Sequence, residues 1–460
     1  MGYIPALERG FIVPTYPAGV PLLMALFQRV AGKGAVFYLV PLLGGLCVWM
    51  TSELGSSAHG RLTGVVAALL VATSPSFVTE LMVPASDVAA AAWWTTALVL
   101  TIRGGLLASL GTGAVVSLAI LTRPNLVPLA VVVGLFYVWQ VVRGRSGAVR
   151  ALALFTGAAV PGCLAVAAIN QYLYGSPLSS GYEPFNVLYA LTNAGPNLDR
   201  YPRWLMQTQT PFIALAVAAP LFSRTGSDEQ GPARLQRDHV ALLLSFATVV
   251  MLSYLFYRPY GREEWEYLRF LLPAYPPLLV LAVAVTIEIV RTTSARATAR
   301  TVAVLTVCVL LAGWQARESV KRGALAACLV DRRYVDVGRF IDVTLPTNSV
   351  VFASLHAGSI RYYSGRQTVN YDRLERRWLD EAVAELRRRG SHPFIALEEG
   401  EMPSFRERFS DLNELGGLDW PPMAERREPI RVRIYDPADR DRSRRGETVQ
   451  TQAIPPAKRW

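Results

Sequence analysis

The 460-residue chain is poor in cysteine: Cys47, Cys163, Cys308 and Cys328 are scattered, no two stand in a CxxC spacing, and none belongs to a His/Cys cluster. A thiolate zinc site and a disulfide framework are therefore excluded as the organising device. Charge is almost absent from the interior of the long apolar runs, with Glu288 near the end of one. Transporters tend to keep ionisable groups near the bilayer midplane and to show repeated halves; this chain has neither that pattern nor an internal repeat, which disfavours a lipid or glycan transporter. The front lacks a basic stretch followed by a continuous apolar core, because Pro5, Pro14, Pro17 and Pro21 interrupt residues 1–34. That segment is not a signal peptide and reads as a turn-rich, interfacial piece.

Hydrophobic residues make up 52% of the chain and come in long blocks rather than amphipathic stripes. This is the composition of an α-helical polytopic membrane protein whose partner is the lipid bilayer. The net charge of +11 does not point to nucleic acid, since the basic residues fall in short connectors and in the last third, where they serve topology and anionic headgroups. Apolar runs at 35–54, 62–79, 88–102, 106–121, 126–142, 152–173, 211–222, 240–256, 268–290 and 301–314 predict about ten transmembrane helices. Beyond them, helix-like runs at 335–343, 359–363 and 378–389 alternate with extended runs at 349–353, 367–370, 394–397 and 430–435. The alternation predicts a small α/β domain. The expected layout is an interfacial segment 1–34, a membrane domain 35–315, an α/β domain 316–436 and a disordered tail 437–460.

Orientation follows from the connectors. Placing Arg143, Arg145 and Arg150 in the cytoplasm also places Arg61, Arg103, the 224–237 loop, Arg291, Arg296 and Arg300 there, as the positive-inside rule requires. The α/β domain is then extracytoplasmic, and Arg123 becomes the exception on the outer side. The front is awkward in this topology: residues 1–34 would lie outside while carrying Arg9, Arg29 and Lys33 against Glu8. One more span ahead of Met1 resolves this, so Met1 is expected to be internal to a longer reading frame.

The outer rim then collects Tyr16, Glu80, Asp87, Arg123, Tyr182, Glu183, Arg258, Glu263, Glu264 and Arg269, which could line a cavity with carboxylates, guanidiniums and aromatic faces. The pair Asp87 and Arg123 stands out. Asp87 reads either as a helix cap or as an acid–base group or ligand for a hard cation such as Mg²⁺ or Mn²⁺, which takes oxygen ligands and bridges phosphate oxygens. Arg123 reads either as a snorkelling anchor or as a phosphate clamp, with Arg269 and Arg258 as further cations. Glu263 and Glu264 read as a solvated loop or as cavity wall. In the α/β domain His356 follows an expected strand, where such folds often place ligands, and is a candidate acceptor contact.

Tyr16-Pro17-Ala18-Gly19-Val20-Pro21-Leu22-Leu23, Ser74-Pro75, Ser86-Asp87 and Leu121-Thr122-Arg123-Pro124-Asn125 occur in this order. The series resembles the C-type (GT-C) membrane glycosyltransferases, most nearly the Rgt-type enzymes, the protein O-mannosyltransferases and the lipid A aminoarabinose transferase. The likeness covers most of 10–181 and, more loosely, the later spans and the C-terminal domain. It implies inverting transfer of a sugar from a polyprenyl-phosphate donor to a lipid, glycan or protein acceptor outside the cytoplasmic membrane. It further implies a carboxylate general base and a stabilised leaving phosphate, with Asp87 resembling the acidic residue of the second outer loop and Arg123 the basic residue near the carrier phosphate. The family's base precedes the kinked elbow formed by Tyr16 to Leu23, and here only Glu8 does so, too close to it; Ala18 replaces the usual second proline. The expectation is a base upstream of Met1, with an inactive fragment or a non-catalytic scaffold as the other outcomes.

Overall fold

A computed structural model describes residues 3–6, 11–182, 185–224, 235–258, 265–292 and 296–457. The chain divides into two compact units, Pro17–Leu325 and Ala326–Trp460 together with Met1–Tyr16.

The first unit is helical. Its front half comprises α1 (Gly19–Ala31), α2 (Leu39–Ala58), α3 (Arg61–Thr73), α4 (Pro75–Leu81), α5 (Ser86–Arg103), α6 (Leu106–Thr122) and α7 (Pro128–Val142). There follow α8 (Ala148–Tyr174), α9 (Phe185–Leu188), α10 (Ala194–Gln209), α11 (Ala219–Phe222), α12 (Arg237–Leu255), α13 (Tyr275–Arg291) and α14 (Ala297–Lys321). All ten expected spans fall on helices. Among the described residues six helical stretches are long and apolar enough to cross a bilayer singly, rising to eight if two bent pairs each count as one span. The shortfall from ten arises because α5 carries Asp87 and Arg103 in its 18 residues and α6 has only 17 residues. The expected turn-rich front also needs correction. Pro21 lies in the first turn of α1, where a missing N–H costs nothing, so the proline that suggested a break instead starts a helix.

Both bends have a local cause. Between α3 and α4 the axis turns by 64° at Ser74-Pro75, with Pro75 at the start of the new helix. Between α10 and the stretch Pro211–Phe222 it turns by 108°; Thr210 there takes φ of +60°, which is unusual for a non-glycine residue, and its hydroxyl accepts from the Phe212 N–H at 3.3 Å. A polar network ties the two bends together: Gln209 Nε2 donates to Ser74 Oγ at 2.6 Å, Gln315 Nε2 to Gln209 Oε1 at 2.8 Å, and Thr73 Oγ1 to Gln315 Oε1 at 2.8 Å. Polar side chains inside a membrane unit find each other because lipid offers no partner. Close helix approach needs small residues. A Cβ added to Gly162 of α8 would lie 2.5 Å from the Ser117 backbone of α6, and that closeness lets Ser117 Oγ donate to Ala158 O at 2.7 Å while accepting from Gly162 N at 2.9 Å. Helix α13 continues a 3-10 segment, Trp265–Ala274, and together they form the most enclosed of the six candidate single spans among the described residues; Leu279 to Val285 are fully buried.

The second unit begins with a hairpin of β1 (Tyr3–Ala6) and β2 (Phe11–Pro14). It resumes as α15 (Ala327–Thr344), β3 (Ser349–Phe352), α16 (Ala357–Ser364), β4 (Gln367–Val369), α17 (Leu379–Arg388), β5 (His392–Glu398) and α18 (Met402–Phe409). The end is β6 (Ala424–Arg426), β7 (Val432–Tyr435), α19 (Pro437–Arg444) and β8 (Gln452–Ala453). The six-stranded sheet runs β4-β3-β5-β7-β6-β8, with β3 parallel to β4 and β5 and with β7 antiparallel to both β5 and β6. Alternation along the strands sends Val351, Phe394 and Ala396 to one face, with Val337 and Ile341 of α15. It sends Phe352, Ile395 and Leu397 to the other, with Leu379, Phe405 and Phe409.

The expected disordered tail is overturned. Asp436 caps α19 by accepting from Ala438 N at 2.8 Å, and Arg440 donates to Asp419 at 2.9 Å and to Glu414 at 2.6 Å. Strand β8 pairs with β6. Low local hydrophobicity suggested disorder, but the segment's partners lie in other parts of the domain. The expected domain limits move accordingly: residues 437–457 are part of the sheet domain, and residues 1–34 split between the two units.

Candidate active site at one end of the helical unit

Charged residues of the helical unit gather at two ends. At one, His59 Nε2 meets Glu288 Oε1 at 2.8 Å, Arg291 also holds Glu288, and Asp238 is paired with Arg145 at 3.4 Å. This end carries the connectors that the positive-inside pattern places in the cytoplasm. At the other end lie Glu80, Asp87, Arg123 and Arg269.

Helix α6 ends at Thr122, and Arg123 leaves the helical conformation with φ −143° and ψ 87°. Pro124 opens the next short 3-10 turn, its fixed φ and absent N–H setting the corner. The close seat of α1 contributes here too. A Cβ on Gly19 would lie 2.6 Å from the backbone of Leu121 and Thr122, so the Tyr-Pro-Ala-Gly elbow needs its glycine where it touches the Arg123 turn. Arg123 is no snorkelling anchor: it is 9% exposed. Its guanidinium forms an ion pair with Asp87 and lies over the rings of Tyr254 at 5.6 Å and Phe270 at 5.2 Å. Burying a charge is tolerated when it is paired, and the aromatic faces add favourable cation–π contact.

Asp87 is likewise not the helix cap. The N-cap position of α5 is Ala85, with no side-chain cap, and Asp87 stands one position beyond Ser86 in the first turn. Its carboxylate faces Arg123 while profiting from the positive end of the helix. Asn125 Nδ2 donates to Tyr254 Oη at 2.8 Å, fixing one ring of the Arg123 pocket. Glu80, near the end of α4, is 4% exposed, with Oε2 lacking a hydrogen-bond partner among the described residues. It lies within electrostatic reach of Asp87, Arg269 and Arg123. Arg269 sits over the Phe270 ring at 5.0 Å.

The remaining expected rim residues are placed differently. Tyr182 is exposed and within electrostatic reach of Arg123. Arg258 is exposed, its backbone N–H donating to Leu188 O at 2.7 Å. Tyr16, half-exposed, is grouped with the other unit, and Glu183, Glu263 and Glu264 lie outside the described residues. His356 is fully buried in the sheet domain and bonded through Nε2 to Glu398 at 3.1 Å, so it belongs to the internal scaffold rather than to an acceptor surface. Burial alone would raise the Glu398 carboxyl, but hydrogen bonds from His356 and Arg333 hold it below the usual carboxylate range. Burial pushes its neighbour Glu401 upward. Sequence reasoning missed Tyr254 and Phe270, which read as ordinary apolar positions within helical runs.

Among the described residues no group of three or more His, Cys, Asp or Glu is disposed to hold a metal ion. Asp87, the expected cation ligand, is engaged by the Arg123 guanidinium.

A model of the Alg9-like mannosyltransferase family matches residues 90–316. Over 91% of the chain the structure is similar to ArnT from Cupriavidus metallidurans in the apo state, covering 87% of that protein at 13% identity and a TM-score of 0.55. The chain has the C-type (GT-C) membrane glycosyltransferase fold. The same ArnT bound to undecaprenyl phosphate shares this GT-C architecture over 91% of the chain and 88% of its own length, at 14% identity and a TM-score of 0.52. So does the Archaeoglobus fulgidus oligosaccharyltransferase tethered with an acceptor peptide, at 12% identity and a TM-score of 0.52 over 93% of this chain. There the GT-C match covers 66% of the longer protein. Among curated proteins no sequence match is found.

Proposed function

We propose that this GT-C protein transfers a sugar from a polyprenyl-phosphate carrier to a lipid, glycan or protein acceptor at the outer face of the cytoplasmic membrane. The observation that carries the reading is the buried Asp87–Arg123 pair, with Arg269 and Glu80 beside it, at the end of the helical unit opposite the basic connectors. A neighbour of the same fold was solved with undecaprenyl phosphate bound, and a phosphate is what convergent guanidiniums recognise. In this reading Arg269 and Arg123 hold the leaving phosphate, and Asp87 positions Arg123 rather than acting as the base. The aromatic faces of Tyr254 and Phe270 exclude water, which strengthens the charge stabilisation on which departure of the carrier depends. In the family resemblance the base lies ahead of the elbow, and no residue here is assigned that role. Placing the sheet domain outside follows from the positive-inside pattern. The sites of charge favour transfer over transport, since they cluster at the bundle ends rather than at the midplane.

The test is binding of undecaprenyl phosphate to the purified full chain. Arg123→Gln and Arg269→Gln should each weaken it about tenfold or more; unchanged affinity in both variants removes the site.

A further inference from the structure

Two atoms of the site are buried without hydrogen-bond partners among the described residues, and they are opposite in kind: the acceptor Glu80 Oε2 and the donor Arg269 Nε. Buried polar groups left unpaired are rare in native structures and usually have a reason. Among the described residues the charges around them balance when all four groups are ionised. Asp87 on α5 is matched by Arg123 after α6, and Glu80 on α4 by Arg269, while Glu266 in the same 3-10 segment is exposed to solvent. Helix α14 also packs on α4; its Glu318 is paired with Lys321 and Arg322, and its Gln315 and Ser319 do not titrate.

A glycosyl phosphodiester entering this set brings one negative charge. Its oxygens suit Arg269 Nε, but an ionised Glu80 would repel it. One proton on Glu80 answers both problems, because the buried set returns to neutrality and the carboxyl gains an O–H to give to the phosphate. Resting on the carrier reading above, we propose that Glu80 is a phosphate-binding residue that takes up a proton when the carrier's phosphodiester settles on Arg269. Carrier binding is then coupled to pH through Glu80, not through the lipid.

The probe is undecaprenyl methyl phosphate, a diester whose charge is constant between about pH 6 and 9. It is titrated calorimetrically into the full chain in buffers of different ionisation enthalpy. The wild-type protein should take up as much as about one proton per lipid bound, and its affinity should fall by as much as about tenfold per pH unit at the alkaline end. Glu80→Gln should abolish the uptake and flatten the pH profile; Glu80→Asp should retain both. Absence of uptake in the wild type, or equal uptake in Glu80→Gln, overturns the proposal, and the wild-type arm suffices if the glutamine variant does not fold. If the diester binds and Arg269→Gln weakens it without proton uptake, this proposal alone falls. If the lipid does not bind at any pH, the carrier reading falls with it.

Discussion

Removing Arg123 should reveal how much the fold depends on the charge pair at its core. The Arg123 and Asp87 side chains are only 11% and 6% exposed, so solvent screening does little to weaken the pair. Arg123→Met keeps most of the stem's packing but strands a buried carboxylate, which costs about 3–5 kcal/mol. Loss of the guanidinium from the Tyr254 and Phe270 faces adds roughly 0.5–2 kcal/mol. Asp87→Leu should be comparably harmful because it strands the guanidinium. The double variant removes both charges and should return to within about 1–2 kcal/mol of wild type, since replacing a buried pair by apolar groups is often near neutral. Unfolding in mixed micelles titrated with SDS, followed by tryptophan fluorescence, measures all four corners of the cycle. If the single losses simply add, or if Arg123→Met changes stability by less than about 0.5 kcal/mol, the pair is not a buried unit and the site as described is wrong.

Gly162→Ala, which drives a methyl against the Ser117 backbone, should cost about 1–3 kcal/mol in the same titration. Gly157→Ala, which meets open space on the same helix, should be nearly silent and serves as its control. In the sheet domain the lowered Glu398 carboxyl contributes stability that is complete above its unfolded value of about 4.3 and is lost as pH falls through its folded value. Hydrogen exchange of peptides spanning 349–364 should therefore lose protection on acidification. Glu398→Gln should start with lower protection and respond less to pH; a wild-type-like profile in this variant would contradict the assignment. Arg440→Ala removes the bonds to Asp419 and Glu414 and should open residues 437–453 to rapid tryptic cleavage, whereas the wild-type segment should resist.

Much of the site was visible as an exception to a pattern. Arg123 stood on the outer side of a topology set by the basic cytoplasmic connectors, and Asp87 fell on the same side by parity alone. What each does was less legible. The short motifs also allowed a cap at Asp87 and a snorkelling anchor at Arg123, and rejecting these needed the Ala85 cap position and the aromatic walls. Glu80 illustrates the limit best: it was one acidic residue in an outer loop until the bend at Ser74-Pro75 turned α4 toward α5.

The sequence by itself determined the positions of the apolar helices, the helix–strand alternation of most of the C-terminal domain and the resemblance to GT-C proteins. Hydropathy and period act between near neighbours, so they survive in a linear reading. Tertiary structure decided the pairing of Asp87 with Arg123 across 36 positions, the order in the charged tail and the burial of His356. Each depends on a partner from a distant segment: the cost of leaving a charge or polar atom unpaired away from water is met only once the chain has folded.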